Sequence, residues 1–288
     1  MITITANDPD ILSLMKITDQ NGSIVDWSYN AFPDGQVQGK IPKIAYESSN
    51  EEISVKVSLT NPIILDLFMQ LVYSTSPRKV TVNYLYGARC DKAESGDYYV
   101  CNVARKVLND IWTATRNSSD FLAPHCFDLF ADYMTTYKNF NATYDLPDCV
   151  NLNDYDCIVF PDESAYQRFK DQVIGYKYVI CEKHRDQETG NIISHIIPKL
   201  PDGTKKVILL DDLADGGKSF ENVAEQLSDG VKADLFIFHG VFSNNALERL
   251  LKKFNKIIVT NSLPAPEKQK VLLPEEDQDR VIIVDVWD

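Results

Sequence analysis

The 288-residue chain lacks the marks of a membrane, exported or nucleic-acid-binding protein. No apolar run approaches the roughly 20 residues that a bilayer-crossing helix needs, and Met1–Ala6 has neither the basic nor the apolar region of an export signal. The six cysteines (Cys90, Cys101, Cys126, Cys149, Cys157, Cys181) include no C-x-x-C pair. Neither a zinc site nor a disulfide framework is indicated, and a cytoplasmic protein with reduced thiols is expected. Positive charge is in deficit: 29 Lys and Arg stand against 42 Asp and Glu, for a formal net charge of −13. A nucleic-acid partner, which normally meets a basic face, is therefore not expected. Nucleotide substrates are anions too, so holding one would fall to a few placed basic residues and a divalent metal. No internal repeat or low-complexity tract is present.

What is there centres on Val207-Ile-Leu-Leu-Asp-Asp-Leu-Ala-Asp-Gly-Gly-Lys-Ser-Phe220. Four apolar residues suit a strand buried on both faces, with Asp211 and Asp212 at its carboxyl end, where open α/β sheets bind ligands. Gly216 and Gly217 would let backbone N–H groups close on an anion, and Ser219 would cap a helix beginning at Phe220 while offering its hydroxyl to a phosphate. A ribose phosphate fits the combination of acid pair and anion cradle. An ordinary strand-to-helix turn is the bland alternative. The chain is not a P-loop protein by this route, because Gly217-Lys218-Ser219 would need a glycine at position 212, where Asp212 stands.

Periodicity places the motif in an α/β protein. Ile53–Leu59 alternates as a strand, 63–72 has helical spacing, and Val80–Leu85 returns to strand. A polar loop over 86–97 and a helix over 100–114 follow. The Asn-, Asp- and Tyr-rich stretch 137–154 is the expected boundary between halves, giving domains 1–140 and 141–288. The second half reads as strand 157–160, helix 164–171, strand 177–181, a polar excursion 182–191, strand 192–197 and a turn at Pro201-Asp-Gly203. Beyond the opening motif come helix 219–227, strand 235–238, helix 245–254 and strand 256–260. The last strand, 281–286, is free to return to the first domain.

Seven further segments occur in register with this pattern: Phe32-Pro-Asp-Gly35, Tyr86-Gly-Ala-Arg89 with Asp91-Lys92, Ala123-Pro-His125, Phe160-Pro-Asp162, Lys183-His-Arg185, Phe238-His-Gly-Val-Phe-Ser243 and Val259-Thr-Asn261. With them, most of the chain resembles the phosphoribosyl pyrophosphate synthetases (ribose-phosphate diphosphokinases). The resemblance implies two phosphoribosyltransferase-like domains, each a mostly parallel sheet flanked by helices. It implies transfer of the β,γ-diphosphoryl group of ATP to the anomeric hydroxyl of a 5-phosphorylated ribose, with release of AMP. In that likeness Lys183 and Arg185 lie on a loop closing over the reacting phosphates. Phe32, Asp34, Gln36, Arg89, Asp91 and His125 serve ATP, and Phe32 stacks on adenine across a subunit boundary of a homo-oligomer. His125 and Asp162 belong to a Mg2+ shell, although Asp162 also suits the cap of a helix ahead of Ser164. Asp211, Asp212, Asp215, Gly216, Gly217, Lys218 and Ser219 hold the ribose and its 5-phosphate. Side chains adjacent on a strand point opposite ways, so one acid would face the sugar and the other steady the loop.

The chain departs from the family pattern at four places. Lys218 stands where a small residue is usual, and either adds a cation to the phosphate or points to solvent. Gln36 and Cys90 replace a carboxylate and an amide; Glu163-Ser164 replaces small residues; and the family's closing helix does not follow the last strand. An acceptor with more phosphate, such as ADP-ribose, would suit a binding Lys218. The chain is similar here to bacteriophage relatives of the family, some of which pyrophosphorylate ADP-ribose so that a partner enzyme rebuilds NAD. Two other functions share parts of the pattern: a phosphoribosyltransferase that consumes the activated sugar, and a non-catalytic regulatory subunit.

Overall fold

The computed structural model describes residues 5–42, 53–87, 94–95, 98–99, 103–115, 118–124, 126–185 and 192–288. The chain forms two compact units, one running to Thr143 and taking in Trp287, the other spanning Tyr144–Val286 with Asp288.

The first unit is built on a five-stranded sheet. β1 (Met15–Thr18) runs antiparallel to β4 (Ser54–Ser58); β5 (Lys79–Tyr84), β8 (Ser119–Leu122) and β9 (Phe140–Thr143) continue parallel to β4, in the order β1-β4-β5-β8-β9. β2 (Ser28–Ala31) and β3 (Val37–Lys40) form a hairpin, and β6 (Glu94–Ser95) pairs with β7 (Tyr98–Tyr99). Helices Pro62–Thr75, Val103–Ala114 and Phe127–Thr136 connect the parallel strands.

The helix at 62–75 forms because Pro62 pre-sets the first turn and Asn61 caps it, its side chain accepting from Ile63 N (2.9 Å) and Ile64 N (3.2 Å). Ile64, Leu67, Phe68, Leu71 and Val72 fall on one face and are all buried. Several elements here fall outside the sequence expectations, among them β1, β8, β9 and the helix at 127–136. The strands are four residues long and alternate with polar side chains, as in Ser119-Asp-Phe-Leu122, too short a window for a period to register. β9 occupies part of the polar 137–154 stretch.

The second unit is a six-stranded parallel sheet in the order β11-β10-β14-β15-β16-β17. Its strands are β10 (Cys157–Phe160), β11 (Tyr178–Ile180), β14 (Lys206–Ala214), β15 (Lys232–Gly240), β16 (Lys256–Thr260) and β17 (Val281–Val284). All four residues of β10 and all of Val207–Leu210 are buried, as strands covered on both faces require. Phe169 and Phe238 stack with ring centroids 5.9 Å apart, tying the helix Glu163–Phe169 to β15.

The structure corrects two sequence expectations. The segment at 192–197 is not in the main sheet: β13 (Ile192–Ile196) pairs antiparallel with β12 (Glu182–Arg185) in a separate ribbon, so the polar excursion is partly strand. The final strand stays beside β16 and does not return to the first sheet. Short helices Ala265–Lys270 and Glu275–Gln278 precede it.

From β10 the chain crosses through the helix Glu163–Phe169 to β11 at one edge, then through the ribbon to β14 on the other side of β10. The connections leaving β10 and β14 therefore diverge, opening a crevice at their carboxyl ends. The turn Pro201–Gly203 lies at the opposite, amino end, just ahead of β14. Among the described residues no helix is long and apolar enough to cross a membrane.

Candidate active site

Because the second sheet is wholly parallel, its carboxyl edge collects Phe160–Asp162, Asp211–Ser219, His239–Asn245 and Thr260–Ser262. Phe160–Asp162 and Asp211–Ser219 flank the crevice between β10 and β14. Asp162 is the N-cap of the helix Glu163–Phe169, its Oδ1 accepting from Ala165 N at 3.0 Å. Capping does not remove it from the crevice, since its charge acts on both Asp211 and Arg168.

The acid pair lies inside β14 and not at its end. The ladder with β15 runs on through Leu213↔His239 and Ala214↔Gly240, beyond both acids. No ladder pair forms at Asp212, whose N–H donates to Asp211 Oδ1 at 2.8 Å. The strict up-and-down alternation expected of neighbours is locally broken, and both acids reach one cation. Arg168 Nη1 lies 3.1 Å from Asp212 Oδ1 and 3.6 Å from Asp211 Oδ1, with the Arg168 side chain only 9% exposed.

Burial pushes the Asp211 carboxyl well above the usual carboxylate range, and the charges of Asp212 and Asp162 add to this while Arg168 opposes it. Burial also works against the charge on Arg168, but Asp212 and Asp211 outweigh it and hold the guanidinium more firmly protonated. No motif marks Arg168. A single arginine in the last turn of a helix ordinarily reads as a favourable charge on the helix dipole.

After β14 the chain passes Asp215 and Gly216 into Gly217, whose φ of +76° makes it the N-cap of the helix Lys218–Ala224. Ser219 therefore does not cap a helix starting at 220. The left-handed glycine turns the chain two residues earlier and leaves Ser219 in the first turn. That turn has no side-chain cap, so its N–H groups are disposed as in anion-binding helix starts.

Arg249 braces the turn: Nη2 donates to Gly216 O (2.5 Å), Nε pairs with Glu221 Oε1 (2.9 Å) and Nη1 donates to Asn244 O. Lys218 is 66% exposed and leans on Glu221 Oε2 at 3.5 Å. Beyond β15, Phe242, Asn244 and Asn245 all adopt positive φ (49°, 56°, 55°), a run of left-handed non-glycine residues of the kind that concentrates at functional loops. Within the same edge His239 is buried, its Nδ1 2.9 Å from Ser262 Oγ.

Lys183 and Arg185 sit on β12, opposite His195 and Ile192, with a register shift between His184 and Arg185. The ribbon starts at the carboxyl edge, where Cys181 N bonds Phe160 O (2.9 Å). Its second strand lies against the helix Lys218–Ala224, and Ile197 N bonds Gln226 Oε1 (3.3 Å) just beyond it. Ribbon, glycine turn and acid pair thus share one edge of one sheet.

In the first unit Phe32 is 43% exposed at the tip of the β2–β3 hairpin, where Phe32 N bonds Gln36 O (2.8 Å) and Asp34 Oδ1 accepts from Gln36 N (3.1 Å). Tyr86–Gly87 follows β5, and Ala123–Pro124 follows β8, at the carboxyl ends of parallel strands. Arg89, Asp91 and His125 lie outside the described residues. Among the described residues no three His, Cys, Asp or Glu side chains form a ready-made metal cage. Magnesium asks less, since one or two carboxylates plus substrate phosphates suffice. Asp211 and Asp212 on one guanidinium, Asp162 close enough for its charge to act on Asp211 and Arg168, and Asp212 Oδ2 buried without a hydrogen-bond partner among the described residues give a donor set that fits such a cation. Burial pushes the thiols of Cys157 and Cys181 up to about 11 and about 12, so neither is a nucleophile near neutral pH.

Comparison with known proteins gives the arrangement a context. Over 272 residues, 90% of this chain and 88% of the other, it is 25% identical to a ribose-phosphate pyrophosphokinase of Sulfurisphaera tokodaii. Over 276 residues, 91% and 89% of the two chains, it is 26% identical to that of Sulfolobus acidocaldarius. The chain is thus similar to ribose-phosphate pyrophosphokinases along most of its length.

The phosphoribosylpyrophosphate synthetase of Mycobacterium smegmatis matches with a TM-score of 0.65 at 17% identity, covering 93% of this chain and 88% of that one. The shared fold is two phosphoribosyltransferase-like α/β units, each with a mostly parallel sheet flanked by helices. No protein-family model matches the chain.

Proposed function

We propose that the protein is a diphosphotransferase that moves the β,γ-diphosphoryl group of ATP onto the anomeric hydroxyl of a 5-phosphorylated ribose. The observation that carries this reading is the shared carboxyl edge of the second sheet. There an acid pair suited to sugar hydroxyls, a glycine turn suited to a phosphate and the ribbon bearing Lys183 and Arg185 come together. Similarity to ribose-phosphate pyrophosphokinases over nine-tenths of the chain supports it.

In this reading Asp211 and Asp212 accept hydrogen bonds from the ribose hydroxyls, and the backbone of Asp215–Ser219 holds the 5-phosphate. The anomeric oxygen gives up its proton to solvent and bonds to the β-phosphorus as the bond from that phosphorus to the oxygen shared with the α-phosphate breaks, and AMP leaves. Negative charge spreads over the transferred group and the leaving oxygen, and Lys183 and Arg185 neutralise it. Phe32, Asp34, Gln36, Arg89, Asp91 and His125 hold ATP. Asp162 and His125 would hold Mg2+, which would supply positive charge against that of the phosphates. The protein works in the cytoplasm as a homo-oligomer, with Phe32 offered to a neighbouring subunit.

Two acceptors fit: ribose 5-phosphate and, in a phage-type NAD reconstitution, ADP-ribose. A Cβ built on Gly216 would meet nothing within 4 Å, so there is open space beside the turn. Lys218, exposed there, supplies an additional cation for a second phosphate. Incubating the protein with ATP, Mg2+ and each acceptor in turn, and following AMP, tests the proposal. AMP formed with one acceptor alone identifies it, and no AMP with either ends the reading.

A further inference from the structure

Adjacent buried carboxylates repel each other, and on a regular strand they would face opposite sides of the sheet. In β14 they do neither freely, because Arg168 Nη1 reaches both, at 3.1 and 3.6 Å, from a side chain 9% exposed. The acids also touch each other through the bond from Asp212 N to Asp211 Oδ1, while among the described residues Asp212 Oδ2 has no hydrogen-bond partner. The aim of the pair therefore depends on the guanidinium.

The backbone that carries that guanidinium is anchored on both sides. Its helix is capped by Asp162 at one end, and its next residue, Phe169, is fully buried against Phe238. A buried cation within reach of two carboxylates constrains how they are presented, which is what recognition of two neighbouring hydroxyls requires.

We infer that Arg168 is the positioning residue of the sugar subsite: it fixes Asp211 and Asp212 for the ribose hydroxyls and so sets affinity for the acceptor and not for ATP. The inference deepens the proposed function and rests on it. Arg168→Met removes the charge. Arg168→Lys keeps it, but on a point donor that cannot reach both acids as the longer planar group does.

Isothermal titration of each variant with ribose 5-phosphate and, separately, with Mg-ATP reads the effect, alongside steady-state KM values and melting curves. Both variants should bind ribose 5-phosphate about tenfold or more weakly, while binding of ATP changes by less than about twofold. Arg168→Lys should melt close to the wild type and decides the matter if Arg168→Met does not fold. A folded Arg168→Lys that binds the sugar phosphate as the wild type does, or equal weakening toward both ligands, overturns the inference. A wild type that binds ribose 5-phosphate but releases no AMP with either acceptor removes the proposed function and leaves the role of Arg168 standing. If the wild type takes ADP-ribose alone, that acceptor replaces ribose 5-phosphate in the titrations, and a wild type that binds neither removes both.

Discussion

Gly217 combines two constraints at one position. Its φ of +76° suits glycine, and a Cβ there would lie 3.2 Å from Leu250 Cδ1 and 3.4 Å from Ala246 Cβ. Gly217→Ala is therefore expected to lose about 1–2 kcal/mol of stability, read as a lower urea midpoint, together with acceptor binding. Gly216→Ala, with open space and no positive φ, should lose less than half as much.

Asp211 offers a pH test. Its carboxyl is raised by burial first and by Asp212 and Asp162 next, so the folded state binds that proton more tightly than the unfolded chain does. Below the unfolded value of about 3.9 this costs nothing, but as pH climbs from there toward the folded value the group increasingly opposes folding. Asp211→Asn should thus melt above the wild type at pH 7, converge with it below about pH 4, and have lost turnover. A variant less stable at neutral pH would contradict the argument.

At the scale of elements, the ribbon β12–β13 makes the clearest demand. If it neutralises the transferred phosphoryl group, Lys183→Ala should lower kcat by about two orders of magnitude or more with an unchanged circular dichroism spectrum. Unchanged turnover would take the ribbon out of the chemistry. Val207–Leu210 was legible because four buried apolar residues followed by Asp-Asp and Gly-Gly leave few alternatives to a buried strand and a turn. The exact start of the next helix was not, since Ser219 looks like a cap while the backbone of Gly217 decides.

The ribbon itself was half visible. Ile192–Ile196 has strand composition, but its partner Glu182–Arg185 is entirely polar or charged, and only pairing across the intervening residues makes it a strand. Arg168 was invisible for a different reason: its meaning comes from Asp211 and Asp212, more than forty residues away, and no local spacing encodes that contact. The same holds for β8, where Phe121 sits among Phe130 and Phe140 at centroid distances of 4.9 and 5.2 Å, a cluster assembled from three separate elements.

For the whole molecule, the net charge of −13 means that two polyanionic substrates would approach a protein that repels them at long range. Local cations must overcome that field, and in the crevice Asp211 and Asp212 pair with a single guanidinium on which the charge of Asp162 also acts. Turnover is accordingly expected to vanish on addition of EDTA and to return with excess Mg2+. The melting temperature without substrates should barely move, because among the described residues no cage of protein ligands holds the ion by itself. Activity that survives chelation would refute this.

A parallel sheet also has a quiet side. The turn at Pro201–Gly203 closes on itself through Thr204 N to Pro201 O (3.2 Å), and a side chain added at Gly203 would touch nothing within 4 Å. It precedes β14, so the full length of that strand separates it from the glycine turn at the far edge. A fluorescent reporter domain spliced in at this point would ride on the finished scaffold, offering a handle for watching the enzyme without touching its chemistry.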